Sequence, residues 1–449
     1  MASLSEKMAQ EMNFSAFSKA GDVQKRILFT LGALIIFRFG AFIPLPGIDP
    51  NIFKGIFEQN AGGILGMFDA FSGGALSRMS LLALNIMPYI SASIIIQLGA
   101  SIFPALITLK KEGASGMRKM NQYTRYLTVL IASLQGYGLA LALEKMTGAS
   151  GASAVIMDNL PLFRLMTVVS LLGGTMFVVW LGEQITARGV GNGSSLIITV
   201  GIIATFPGSF SRMLELVRVG EISPVLLLGL LALAFGLISL VVMMERAQRR
   251  IVIQYPKRGQ MTYNGDMSHL PLKINPTGVM PPIFASALLL LPMSIIKFSA
   301  ESNTHSEWLN WLAGNLSHGQ WGYIGLYGFL IAFFTFFYTG LVFNPKETAD
   351  NLKKYGGFVA GIRPGKSTAD YLDYVITRIT VLAAIYLVGL CILPEILISQ
   401  LSVPFFLGGT TLLIVVTVIM DTITQIQSQL FAYQYESLIK KAKTKGRFR

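Results

Sequence analysis

The chain has 449 residues, of which 53% are hydrophobic and only 13% are charged, and its 36 basic and 23 acidic side chains leave a net charge of +13. A soluble globular protein carries about 25% charged residues, because polar groups must cover its surface. This composition excludes a soluble domain, and the amount of apolar surface available for burial excludes a disordered chain. It predicts a polytopic membrane protein with basic loops.

Residues 1–26 are polar, and no small-residue cleavage site follows the first apolar stretch, so we predict a cytoplasmic N-terminal segment and no cleaved signal peptide. Ten apolar stretches follow, each able to hold one membrane-crossing helix. They are 27–43, 79–109, 127–143, 165–182, 189–211, 222–244, 274–296, 308–345, 379–394 and 396–420. The sequence therefore predicts an all-α polytopic membrane protein with ten transmembrane helices, numbered spans 1 to 10.

The basic residues test this count, because cytoplasmic loops of membrane proteins carry an excess of Lys and Arg. With the N-terminus in the cytoplasm, 28 basic residues fall in cytoplasmic segments and 7 in outer loops, and Arg38 lies inside span 1. Both termini are therefore predicted to be cytoplasmic, and the basic tail 427–449 is predicted to be solvated or to contact lipid.

The midpoint of the chain lies near Pro224 and divides it into an N-terminal half, 27–211, and a C-terminal half, 222–426. Five spans in each half would cross the bilayer in opposite orientations, which fits an inverted repeat. The connecting loop is predicted at 212–221.

Residues 62–74, between spans 1 and 2, contain Asp69 and are bracketed by two glycine pairs. The apolar part is too short to cross a bilayer, and glycine pairs permit sharp turns. Two interpretations remain open: an interfacial half-helix, or a re-entrant segment surrounded by protein or a water-filled cavity.

Two predicted cytoplasmic loops, 245–273 and 344–378, carry six basic residues each. They are longer than a simple connection requires, and long loops tend to be functional. Alternation in 250–255 predicts a short hairpin in the first loop. The charge favours a docking surface for a cytosolic partner, including one rich in phosphate such as RNA.

No motif in the chain predicts catalysis, a metal or a cofactor. The fragment 361–367 is one residue short of a phosphate loop, and the three histidines all fall in predicted loops. The single cysteine, Cys391, excludes an internal disulfide. We expect no enzyme, so energy must come from a partner or from the membrane potential.

Several long motifs, in order along the chain, resemble the SecY family, the pore-forming subunits of the bacterial Sec protein translocase. They are 37–50, 71–99, 110–126, 180–193, 269–275, 343–373 and 403–421. The resemblance implies a clamshell of two inverted five-helix halves around a central pore, with the 212–221 loop as its hinge. It also implies a plug at about 62–74, built from Gly63, Ile64, Leu65, Met67, Phe68, Phe71, Gly73 and Gly74.

The resemblance further implies a pore ring formed by Ile86, Ile90, Ile198, Ile283 and Ile414. Aliphatic side chains make a dewetted constriction that resists ions, and without charges they let any unfolded sequence slide past. At Ser194 the chain departs from the family, which commonly has a bulky aliphatic residue there.

For the lateral gate toward lipid, formed by spans 2, 3, 7 and 8, the resemblance implies Ser91, Gln135 and Asn275. For docking of the SecA motor or the ribosome it implies Arg249, Arg250, Lys257, Arg258, Lys353, Lys354, Arg363 and Lys366. The loop tip 259–263 is shorter than usual, so its contacts are not carried over.

The resemblance implies a protein-conducting channel of the bacterial inner membrane, whose substrate is an unfolded polypeptide bearing a signal sequence. The partners that it implies are SecE, SecG, SecA and the ribosome. It also implies contact with YidC, SecD/SecF, membrane lipid and ribosomal RNA.

Two other classes stay open: an alternating-access transporter of small solutes, and an insertion scaffold without a conducting path. A transporter predicts ionisable residues at the membrane midplane, whereas Arg38, Glu183 and Asp421 lie near span ends, where snorkelling accounts for them.

Overall fold

The structure, a computed structural model, describes residues 21–59, 69, 72–145, 154–254, 268–289, 320–401 and 408–446. Helices dominate these residues. They are Gly21–Gly40, Pro50–Gln59, Met87–Ile102, Pro104–Lys111, Ala114–Lys145, Leu160–Arg188, Gly193–Val219, Pro224–Arg246, Met280–Leu289, Trp321–Val342, Pro345–Lys354, Lys366–Leu401 and Gly409–Gly446. Three strands accompany them: β1 (Gln248–Gln254), β2 (Ser268–Lys273) and β3 (Phe358–Val359).

Each of the ten predicted spans corresponds to a helix in the described part of the chain. Seven of these helices are long and apolar enough to cross a membrane, and a bent pair in span 2 makes an eighth. Gly21–Gly40 lies at span 1, and Met280–Leu289 lies at span 7. The all-α polytopic architecture is confirmed, and a count of ten spans is consistent with these helices.

The 79–109 stretch, one of the two longest, is expected to hold one span plus loop residues, and the helix of span 2 occupies its middle. This helix begins at Met87 rather than at residue 79, because turns occupy the residues before it. After Ile102 the chain bends by 97° into the helix Pro104–Lys111. Proline disfavours helical backbone in the residue before it, and Phe103 accordingly takes extended angles (φ −88°, ψ 121°). The 79–109 stretch is therefore not one straight helix.

The predicted loop 212–221 is mostly helical. Span 5 continues to Val219, and Gly220 ends it in the left-handed conformation (φ 85°) that glycine adopts without strain. The Ser223 hydroxyl then caps span 6 by accepting a hydrogen bond from the Leu226 N–H at 3.2 Å. The connection between the halves is therefore only a few residues long, and its role as a hinge stays a prediction.

Spans 3 and 4 are joined by an ion pair near each end. Arg125 donates two hydrogen bonds to the Glu183 carboxylate, at 3.0 and 2.6 Å. At the opposite end, Arg164 donates two to the Glu144 carboxylate, both at 2.8 Å. The arginine is on span 3 in the first pair and on span 4 in the second, so the two pairs fix the antiparallel alignment.

The predicted hairpin in the first cytoplasmic loop is present, with Arg250 of β1 opposite Pro271 of β2 in an antiparallel register. A third strand from the other long loop adds to it, pairing Ile253 with Val359, in the order β2-β1-β3. One face of this sheet packs against the start of span 9, where Leu372 is fully buried. The sequence did not predict that the two loops form one sheet.

Apolar side chains cover much of the outside of the bundle as well as its core. Leu28, Phe39 and Phe235 are 70% or more exposed, as expected of side chains that face lipid. Between spans 1 and 2, the amphipathic helix Pro50–Gln59 buries Phe53 and Phe57 against a separate cluster.

Candidate functional site

The predicted pore ring lies within one contiguous hydrophobic cluster. Ile86, Ile198, Ile283 and Ile414 are 8% exposed or less and belong to this cluster, and Ile90 packs against it. Ile86 directly precedes the helix of span 2 and Ile90 lies in it, and the other three lie in the helices of spans 5, 7 and 10, so four separate helices bring these side chains to the same region. Side chains lining an open aqueous passage would be exposed, and these are not. The structure therefore shows these side chains packed in an apolar cluster from which water is excluded.

Ser194 lies near the first turn of span 5, one turn before Ile198, and is half-buried. Its hydroxyl donates to the Asn192 side-chain oxygen at 2.7 Å. The Ser194 hydroxyl is thus satisfied within its own segment.

The predicted plug lies mostly outside the described residues: Gly63, Ile64, Leu65, Met67, Phe68 and Phe71 belong to the part that the structure leaves out. Its C-terminal end is described. The Gly74 N–H donates to the Asp69 carbonyl at 2.9 Å, and the Ser77 N–H donates to the Asp69 carboxylate at 2.7 Å. Burial raises the pKa of this carboxyl above its ordinary value, although the hydrogen bonds from Ser77 oppose that rise. These bonds close a tight, ordered turn at the end of the segment.

Gly73 needs to be glycine for two reasons. Its φ of +71° lies in the left-handed region, and the next residue, Gly74, has a φ of +77°. A Cβ on Gly73 would lie 2.8 Å from the Cα of Gly201 in span 5. The end of the predicted plug thus packs backbone against backbone on span 5, within one turn of Ile198.

Two arginines that the sequence analysis gave no such role bind the same turn. Arg38 of span 1 donates to the Gly73 carbonyl at 2.9 Å, and Arg78 donates to it at 3.2 Å. Arg78 also donates to the Gly74 carbonyl at 2.8 Å. A charged residue inside an apolar span, facing a glycine-bracketed loop, was the available sequence signal, but snorkelling explained it equally well.

The three predicted gate residues are not joined by hydrogen bonds in the described part of the chain. The Asn275 amide donates to the Glu245 carboxylate at 2.6 Å and to the Gly278 carbonyl at 3.1 Å, and its oxygen accepts from the Thr277 hydroxyl. Ser91 is buried and Gln135 is half-buried. Asn275 therefore links the end of span 6 to the start of span 7, and a gate role for the three residues stays a prediction.

Six of the predicted docking residues are described by the structure, and all six are exposed and lie near the three-stranded sheet. They are Arg249 and Arg250 on β1, Lys353 and Lys354 at the end of the helix Pro345–Lys354, Arg363 after β3, and Lys366 at the start of span 9. Lys257 and Arg258 lie outside the described residues. The Arg363 carbonyl accepts a hydrogen bond from the Thr368 hydroxyl at 2.9 Å, which orders the turn that carries Arg363. Among the described residues, no group of His, Cys, Asp or Glu could hold a metal ion.

A SecY family model matches residues 80–423. The protein translocase subunit SecY of Rickettsia bellii strain RML369-C is 52% identical over 436 residues, which cover 97% of this chain and 99% of that one. The same subunit of Escherichia coli strain K12 is 50% identical over 434 residues, which cover 96% and 97%.

Solved structures with the same fold are more distant in sequence. A protein-conducting channel superposes with a TM-score of 0.66 at 17% identity, covering 90% of this chain and 92% of that one. A canine Sec61 from a ribosome-channel complex of the endoplasmic reticulum gives 0.62 at 16% identity, with the same coverage. A SecY structure concerned with the plug domain, the closed state and the membrane seal gives 0.64 at 18%, also with that coverage.

Proposed function

The chain belongs to the SecY family, and from that premise we propose that it is the protein-conducting channel of a bacterial translocase. It passes unfolded secretory polypeptides across the inner membrane and releases apolar segments sideways into the lipid. The observation that carries this proposal is the closed aliphatic cluster that holds Ile86, Ile198, Ile283 and Ile414, with the end of the predicted plug packed on span 5 one turn away.

A pore for long chains of variable sequence must release apolar segments, admit charged ones and stay sealed around both. A segment of about 20 apolar residues gains free energy by leaving the pore for hydrocarbon, so a gate between helices is sufficient to release it. A charged side chain costs several kcal/mol at the bilayer centre, and a wet passage removes that barrier. Aliphatic side chains at the constriction then seal around any sequence without binding it.

The channel is passive, and its partners supply the force. SecA, using ATP, or a translating ribosome pushes the chain from the cytoplasm, and the exposed basic residues around the three-stranded sheet support docking there. SecE holds the two halves from outside, SecG is peripheral, and YidC and SecD/SecF make further contacts. Both termini lie in the cytoplasm.

Reconstitution tests this function. Liposomes that contain this chain with SecE, supplied with SecA and a secretory precursor, should protect the precursor from external protease only when ATP is present. Liposomes with SecE alone are the matched control. Equal protection in that control, or protection without ATP, would contradict the proposal.

A further inference from the structure

The end of the predicted plug is tied to the helix bundle by one side chain from far away in the sequence. The bonds from Arg78 to Gly73 and Gly74 are local, because these residues are four and five positions apart. Arg38 is 35 positions from Gly73, and its 2.9 Å bond connects the turn to span 1. If the turn moves farther from span 1 than the Arg38 side chain can reach, that bond breaks.

The guanidinium groups of Arg38 and Arg78 both lie over one aromatic ring, that of Phe42. The guanidinium carbon of Arg78 lies 4.2 Å from the centroid of the Phe42 ring, and that of Arg38 lies 5.5 Å from it. Within the described residues, neither arginine has a carboxylate at ion-pair distance. The repulsion between the two like charges is therefore offset by carbonyl dipoles, by the face of the ring and by the attraction between Arg78 and the Asp69 carboxylate.

The turn is also packed closely on span 5, because a Cβ on Gly73 would lie 2.8 Å from the Gly201 Cα and 3.0 Å from the Arg38 Nη1. Gly73 thus contacts both span 1 and span 5 through a space that only a glycine leaves open. Hydrogen bonds with one ionised partner are stronger than neutral ones, yet water can replace this one when the turn moves.

We propose that Arg38 is a positioning residue that latches the end of the plug to span 1 in the closed channel. This proposal rests on the channel function proposed above. Loss of the latch lowers the free-energy difference between closed and open states without removing any group that contacts a passing chain. The resting channel should therefore leak, while driven transport continues.

The test is the resting conductance of the channel complex in a planar bilayer, without precursor. Arg38→Gln should raise the open fraction about tenfold, which corresponds to about 1.4 kcal/mol. Arg38→Lys should recover part of the closure, because an ammonium can still donate to one carbonyl. Lys54→Gln is the matched control: it removes a basic side chain that is exposed in the same predicted outer segment, and it should not leak.

A second measurement separates a latch from a general structural role. In a channel with residues 62–71 deleted, the plug is already absent, so Arg38→Gln should add no further leak. Phe42→Leu provides an independent variant at a side chain that is 58% exposed, and it should leak in the same direction but less. An unchanged resting conductance in Arg38→Gln, or an equal added leak in the deleted channel, would overturn the latch.

ATP-driven import keeps this result distinct from the function itself. Arg38→Gln should import precursor at no less than half the wild-type rate, which shows that the variant is folded. If the wild-type channel imports nothing, the proposed function fails. If the wild-type channel imports normally and the Arg38→Gln channel shows no added leak, only the proposed role of Arg38 fails.

Discussion

At the scale of single residues, Gly193 shows how closely two spans approach at the start of span 5. A Cβ there would overlap the Gly182 carbonyl of span 4, so only glycine permits the crossing. Small residues allow helix backbones to come together in membranes, where burial from water no longer drives association. Ser194 and Ile198 follow within the next turn and a half, so this close approach helps to position Ile198, the predicted ring residue of span 5.

We therefore expect Gly193→Ala to destabilise the protein by about 1–3 kcal/mol, the usual effect of overpacking. Gly208→Ala is the matched control in the same helix, where an added Cβ would meet nothing within 4 Å. The melting temperature of the purified protein in detergent is the measurement. Equal melting temperatures for the two variants would show that spans 4 and 5 can separate at this point without loss.

Residue roles were the part of the site least accessible from the sequence. The five ring isoleucines came only from the resemblance, because a chain with 53% hydrophobic residues contains many equivalent candidates. The position of Arg38 near a span end is explained equally well by snorkelling. The contact that the structure shows could not be predicted, because the acceptor is a main-chain carbonyl 35 residues away. Every residue has a main-chain carbonyl, so the amino-acid sequence does not indicate which one accepts a hydrogen bond.

At the scale of elements, spans 3 and 4 form an antiparallel pair fastened at both ends by ion pairs of opposite order. The Arg164–Glu144 pair is the more enclosed, since the Glu144 side chain is 10% exposed, whereas Glu183 in the Arg125–Glu183 pair is 34% exposed. A buried charge without its partner costs far more than an exposed one. If span 3 belongs to the lateral gate, span 4 must move with it.

Charge reversal tests this coupling. Glu144→Arg should lower the melting temperature, because it places two arginines together at an enclosed site, and adding Arg164→Glu should restore most of the loss. The equivalent swap at Arg125 and Glu183 should cause smaller changes in the same order, because that pair is more exposed. If the melting temperature of the double variant Glu144→Arg with Arg164→Glu stays as low as that of Glu144→Arg alone, the two helices are not held together by this pair.

Elements with a strong periodic or compositional signal were predicted, and those that depend on tertiary contacts were not. Ten apolar stretches became helices because the backbone must satisfy its own hydrogen bonds in lipid. The 97° bend in span 2 follows from Pro104, but the bend falls inside an uninterrupted apolar run. Strand β3 has two residues, Phe358 and Val359, too few for alternation to reveal, and it forms only because β1 offers an edge.

At the scale of the whole molecule, the functional parts divide between the two predicted halves. The end of the predicted plug is held by Arg38 and Gly201, both in the N-terminal half. The three-stranded sheet with its basic residues lies entirely in the C-terminal half. The aliphatic cluster takes side chains from both, with Ile86 on one side and Ile414 on the other. Among the described residues, the sheet and the end of the predicted plug are therefore connected through contacts between the two halves.

This division predicts that the sheet acts as one rigid docking surface. Gln254 and Phe358 are direct antiparallel partners on β1 and β3, so cysteines placed there should cross-link readily. The native Cys391 is buried and does not compete. We expect the cross-linked channel to import precursor at the rate of the two single-cysteine variants, because the tie lies within one half. A loss of import that a reductant reverses would show instead that the two loops must separate during transport.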